Sequence, residues 1–95
     1  MDERILRNAD ALGVKLALSI SPGFLYDVFK RDKYGEWIRI ACIGRPHRYY
    51  YQDFVNMERA GICPYGHAEK MRSVYLAQNK ELLSLYDYYT RHILW

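Results

Sequence analysis

From His67 to His92 the chain runs without a glycine or a proline and is rich in good helix formers, Ala68, Glu69, Lys70, Met71, Gln78, Lys80 and Glu81 among them. This stretch restricts the fold more than any other, because nothing in it punctuates the backbone. Within it Met71, Tyr75, Gln78, Leu82, Leu85, Tyr89 and His92 recur at alternating spacings of four and three, which is a heptad seam. At about 1.5 Å per residue, one helix over this run is about 40 Å long, longer than the core of a compact chain of this size is wide. The expectation is a long C-terminal helix with shorter N-terminal helices packed on it. The seam admits a homodimer, with Gln78 as its register-setting polar position.

The rest of the chain is cut into short pieces by Gly13, Ser21-Pro22-Gly23, Tyr34-Gly35, Gly44-Arg45-Pro46, Gly61 and Pro64-Tyr65-Gly66. Asp2 to Leu12 reads as a helix, with acids in its first turn and Ile5, Leu6, Ala9 and Leu12 at helical spacing. Val14 to Ile20 continues that helix or forms a short strand. Ser21-Pro22 is a helix start, and Phe24, Leu25, Val28 and Phe29 make one apolar stripe, so residues 21–33 read as a helix. The rival is a hairpin turning at Lys33-Tyr34-Gly35. Glu36 to Ile43 reads as a buried strand. Arg48 to Ala60 is helical at least from Asp53, which caps it, and Gly61 ends it. The fold class is therefore mostly α with a short strand or small sheet, α+β, in one domain over residues 1–95.

A chain of 95 residues supports one modest core and little else. With 51% hydrophobic and 26% charged residues, disorder is excluded on composition. No apolar run approaches the roughly 18–20 residues that span a bilayer, so no membrane is expected. Asp2-Glu3-Arg4 is the wrong opening for a signal peptide, and two cysteines make no disulfide framework; a reducing cytoplasm is expected. The net charge of +3 is unevenly spread. Residues 30–48 hold six basic and two acidic side chains, and the segments on either side sum to no positive excess. Such a concentration attracts phosphate or an acidic protein face.

At its end, in Arg45-Pro46-His47-Arg48-Tyr49-Tyr50-Tyr51, cations adjoin aromatic rings. Guanidinium groups hold phosphates and tyrosine faces stack on unpaired bases. Lys30, Arg31, Lys33 and Arg39 extend this candidate partner- or phosphate-binding patch. A second candidate is the aromatic end, where Tyr86, Tyr88 and Trp95 offer an interface of the kind tyrosine and tryptophan dominate. Cys42, His47, Cys63 and His67 are the right ligand types for tetrahedral zinc, but the paired cysteines that open structural zinc sites are missing; no metal and no cofactor are expected. No nucleophile elbow, P-loop or glycine-rich nucleotide fingerprint occurs.

These features point to a non-enzymatic regulator or inhibitor that binds a larger protein or nucleoprotein. Small inhibitors encoded by phages and other mobile elements, anti-CRISPR proteins among them, share this size and style, an analogy that rests on no motif. The alternative is a nucleic-acid-binding module, dimeric through its C-terminal helix. The third reading is a small metal-independent ribonuclease using His47 with Arg45, Arg48 and a tyrosine.

Overall fold

Asp2 accepts a hydrogen bond from the Arg4 backbone N–H at 2.8 Å and so starts α1 (Glu3–Ala11). Gly13, at φ 70°, supplies the left-handed turn that ends the helix. Three strands follow: β1 (Lys15–Leu18), β2 (Tyr26–Arg31) and β3 (Trp37–Ile43). They form an antiparallel meander in the order β1-β2-β3. Next come α2 (Tyr51–Arg59), α3 (His67–Leu76), α4 (Leu85–Tyr89) and a π-helical turn, Thr90–Leu94. This computed structural model describes residues 2–78 and 84–95. The fold is α+β, and no helix among the described residues is long and apolar enough to cross a membrane.

One cross-strand row, Leu16, Val28 and Ala41, faces the core. There Val28 and Ile43 meet Ile5 and Ala9 of α1 and Tyr89, Ile93 and Leu94 of the C-terminal segment. Ile43, Val28, Ile93 and Leu94 are fully buried. Trp95 extends this core into the α2–α3 pair. Its indole stacks on Tyr75 of α3 at 4.7 Å and 12°, meets Tyr50 edge-on at 5.9 Å and lies 6.2 Å from Phe54 of α2. Arg4 and Arg72 both donate to its carbonyl oxygen, at 2.7 and 2.9 Å. Helix α2 is tied to α3 by the Glu58 carboxylate, which accepts from the Ala68 backbone N–H in the first turn of α3.

The long C-terminal helix expected over 67–92 is not present: α3 ends at Leu76 and α4 begins at Leu85. In a single helix residues 75 and 95 lie about 30 Å apart, yet their rings stack at 4.7 Å. Burying the Trp95 indole requires the chain to turn back. The restart carries its own signal: Ser84 accepts from the Asp87 N–H at 3.1 Å and donates to the Asp87 carboxylate at 2.9 Å, a reciprocal cap inside an otherwise unpunctuated run. The heptad seam therefore has no continuous helix to run along. Leu82 lies outside the described residues, and Leu85, read as a seam residue, is 52% exposed.

The helix expected over 21–33 is also absent. Residues 26–31 are the central strand, so the rival hairpin at Lys33-Tyr34-Gly35 is the observed turn. As a strand, this segment puts Asp27 on the same face as Phe29. Its carboxylate is buried, at 2% exposure, but satisfied. Ser19 Oγ donates at 2.7 Å, Cys42 Sγ at 3.2 Å and the Ile20 N–H at 3.4 Å, and Arg39 lies at 3.7 Å. Burial pushes the Asp27 carboxyl up; those hydrogen bonds and the Arg39 charge outweigh it and hold the group below its usual range. Asp53 does serve the start of α2, from within its first turn, by accepting from the Tyr50 N–H at 2.7 Å.

Strand β3, expected to be buried, is buried only at its far end. The pairing slips between Val28 and Phe29, with Ala41 opposite the first and Arg39 opposite the second, so Ile40 is a bulge. Bulges bend the strand and increase its twist. Beyond this one Lys30, Arg31, Trp37, Ile38 and Arg39 are all exposed. The radius of gyration, 14.2 Å, exceeds the roughly 12 Å of a compact chain of this length, in keeping with a hairpin that leaves the core.

Candidate functional site

The hairpin end is built from its turn outward. Asp32 N–H donates to the Glu36 carbonyl at 2.8 Å, closing a three-residue loop with Gly35 at φ 81°. The Asp32 carboxylate accepts from the Tyr34 and Glu36 N–H groups at 2.8 and 3.0 Å. This acid is held by the turn, and none of the lysines beside it lies within 4.0 Å of a carboxylate among the described residues. Arg31 lies over the Trp37 ring at 4.7 Å, Lys15 over the same ring at 5.9 Å and Lys33 over Tyr34 at 5.1 Å. Among the described residues the one ion pair within 4.0 Å is Arg39 with Asp27. Of the sequence-derived patch, Lys30, Arg31 and Lys33 lie on the exposed hairpin, with Lys30 and Arg31 on opposite faces of β2, while Arg39 leans back to the buried acid.

The 45–51 loop divides its residues differently. Arg45 is fixed: its guanidinium donates to the Gly23 carbonyl at 3.3 Å and lies 4.6 Å from Phe24 and 5.3 Å from Tyr86. His47, Arg48 and Tyr49 are exposed. Tyr50 is buried, and its hydroxyl accepts from the Arg45 N–H at 2.9 Å. Burial drives its phenol up to about 12, with the Arg45 N–H opposing and the Tyr86 hydroxyl adding, so it stays neutral. Tyr51 is half-buried under Arg4, 4.3 Å from its ring, and donates to Glu69. The three consecutive tyrosines therefore divide into one on the surface, one in the core and one between them.

At the aromatic end, Tyr88 is exposed at 37% and Tyr86 is half-buried against Phe24. Trp95, read as an interface residue, is placed in the core at 8% exposure. Arg4, Asn8, Arg72, Arg91 and His92 line a basic hollow beside it, a grouping no sequence pattern announced because it draws on three elements. Two of its cations and its amide serve backbone carbonyls: Asn8 donates to Ile93 at 2.9 Å as Arg4 and Arg72 do to Trp95.

A smaller cavity of about 140 Å³ is also lined by Trp95 and reaches Arg48 and Asp87. Two of its wall residues, Thr90 and Trp95, are over nine-tenths buried, and neither the Thr90 hydroxyl nor the Trp95 indole nitrogen has a partner among the described residues. Such orphaned groups each cost about 1–3 kcal/mol. Tyr75 was marked only as a seam residue by its helical spacing, and Thr90 was missed by sequence reasoning, since nothing local marks it.

Cys42, His47, Cys63 and His67 are not gathered. Cys42 donates to Asp27, Cys63 lies 4.0 Å from the Met57 sulfur and His67 packs edge-on to Phe54 at 5.3 Å. Among the described residues no group of three histidine, cysteine or acidic side chains is placed to hold a metal. Comparison with protein-family models, curated proteins and solved structures returns no match.

Proposed function

We propose that this protein is a small regulator or inhibitor that docks on a larger nucleoprotein. Its docking surface is the β2–β3 hairpin with the exposed part of the 45–51 loop, and a nucleic-acid strand is the component it touches. The observation that carries this reading is the hairpin's pairing of cations with aromatic faces. Lys30, Arg31 and Lys33 have no carboxylate within 4.0 Å among the described residues, and Arg31 and Lys33 lie on rings instead. A strand offers phosphates to the cations and base faces to Tyr34, Trp37 and Tyr49. A net charge of +3 suits a composite partner better than bare duplex, which favours strongly basic domains.

The test is affinity capture from the native host followed by gel shift of the retained nucleic acid over a salt series. The complex is expected to contain nucleic acid, with affinity falling as salt rises. Arg31→Ala with Lys33→Ala is expected to weaken binding about equally for all sequences and to reduce the salt slope by about 0.7 per lost phosphate contact. A partner free of nucleic acid, with no retention of DNA or RNA at low salt, overturns the reading.

A further inference from the structure

The basic hollow beside Trp95 gathers its cations from three parts of the chain. Arg4 and Asn8 come from α1, Arg72 and Leu76 from α3, and Arg91 and His92 from the π-helical turn. Among the described residues no acidic side chain lines it. Its volume is about 310 Å³, about twice the roughly 150 Å³ cavity that houses one benzene ring.

The nitrogens around it are not equivalent. Arg4 gives Nη2 to the Trp95 carbonyl and keeps Nη1 buried without a partner among the described residues, so it adds charge to the hollow but no reachable donor. Asn8 is spent on Ile93. Arg72 gives only Nε to Trp95. Its two terminal nitrogens and the whole Arg91 guanidinium hold no other group among the described residues, and none of them is a buried orphan. His92 is exposed. The neighbouring acids are engaged elsewhere. Glu69 takes the Tyr51 hydroxyl and Asp87 the Ser84 hydroxyl, and neither lies within 4.0 Å of a guanidinium among the described residues. Asp2 and Glu3 line the next groove, with Arg7 and Arg59. The Trp95 end, even as a free carboxylate, cancels one of the three guanidinium charges of the hollow and leaves two.

We infer that this hollow binds a phosphate monoester. Such a group carries about −1.5 to −2 at pH 7 and three strong acceptor oxygens, which meets the excess of charge; a carboxylate or a phosphodiester brings only one negative charge. Guanidinium forks match phosphate oxygens two at a time. The remaining volume takes part of the carrier against Leu76. The lining elements are helical and offer no strand edge for a phosphopeptide to pair with. A small phosphorylated molecule and the end of a nucleic-acid strand bring the same group. The hollow shares no residue with the hairpin surface, and the inference does not rest on that surface meeting nucleic acid.

The readout is the side-chain Nε–H signals of Arg72 and Arg91 in proton–nitrogen correlation spectra, assigned with Arg72→Lys and Arg91→Lys. The probes, at constant ionic strength, are inorganic phosphate, glycerol phosphate, dimethyl phosphate, acetate, a phosphoserine peptide, and one oligothymidylate with and without a 5′-phosphate. Inorganic phosphate and glycerol phosphate are expected to move both signals and to saturate below about 10 mM, and dimethyl phosphate and acetate to leave them in place. Arg91→Ala is expected to weaken phosphate binding about ten- to a hundredfold, the equivalent of one charge-assisted hydrogen bond. Arg91→Lys, which keeps the charge and loses the fork, is expected to lose less. Arg48→Ala, which removes an exposed cation outside the hollow, is expected to change nothing. Saturation by the small probes with both oligomers retained alike makes a free phosphorylated molecule the ligand; tighter retention of the 5′-phosphorylated oligomer makes it a strand end. Equal movement with acetate or dimethyl phosphate, movement with the peptide alone, no saturation, or losses in Arg91→Ala no greater than in Arg48→Ala overturn the inference.

Discussion

Two short apolar stretches of this chain look alike and end in opposite environments. Ile93-Leu94-Trp95 is buried, at 0%, 2% and 8% exposure, while Trp37 and Ile38 of β3 stand at 41% and 46%. Hydrophobicity does not separate them; what arrives from elsewhere does. The first stretch receives α1 through Ile5 and Ala9, α2 through Phe54 and α3 through Tyr75. The second lies beyond the Ile40 bulge, where β2 and β3 have each other and the cations laid over Trp37. Burial in a small domain is decided by closure, and the residues left outside are free to meet a partner.

The largest effect expected is at the closed end. Ile93→Ala removes a side chain that is 0% exposed and leaves a cavity among elements held from several sides, so it is expected to cost about 2–5 kcal/mol. The whole domain has about 5–15 kcal/mol. Ile38→Ala deletes the same atoms where the site is nearly half open, and is expected to cost under about 1 kcal/mol. Urea melts of the two variants check this. Equal losses would break the distinction between the regions.

A middle effect sits where the two regions join. Asp27 is the buried acid at the root of the hairpin, held by Ser19, Ile20, Cys42 and Arg39. Its folded pKa is lowered from the ordinary value of 3.8. The stability this contributes is therefore fully present above about pH 4 and is lost as pH falls through the folded pKa. Asp27→Asn is expected to cost about 1–3 kcal/mol at neutral pH, because an amide N–H₂ replaces one acceptor among donors. It is also expected to flatten the acid limb of stability against pH below about 4. Melts over that range with both proteins decide it; an acid limb of unchanged steepness would show that other carboxylates carry the dependence.

How much of this was legible follows from where each signal lies. Local signals read correctly: Asp2 and Gly13 bound α1, Asp53 and Gly61 bracket α2, and the 36–43 strand is β3. The errors came from contacts that sequence does not display. Residues 21–33 read as helix from the Ser21-Pro22 start and the stripe of Phe24, Leu25, Val28 and Phe29, and only Ser19, Cys42 and Arg39, elsewhere in the chain, make a strand that buries Asp27 acceptable. The C-terminal run looked like one helix because Ser84 with Asp87 is a short signal inside a long favourable stretch. The basic-aromatic patch was legible as composition, but not its division between a free hairpin and a fixed Arg45. The Thr90–Trp95 cavity was not legible at all, since its walls come from four places in the chain.

The smallest stability effect separates folding from function most cleanly. Tyr34 stands at the hairpin tip, 78% exposed, with Lys33 5.1 Å from its ring. The turn is held by the Asp32 carboxylate and by Gly35, which do not use the Tyr34 side chain. Tyr34→Ala is therefore expected to change stability by no more than about 0.5 kcal/mol. If the hairpin is the docking surface, the same change removes a ring on which a base stacks, worth about 1–3 kcal/mol of binding, a loss of at least about fivefold in affinity. Denaturant melts and gel shifts on one preparation measure both quantities. Full binding with unchanged stability would leave the tip as solvated surface and move the docking role to the 45–51 loop. A large loss of stability would mean that the hairpin is held by contacts its exposure does not reveal, and the contrast with the buried end would close.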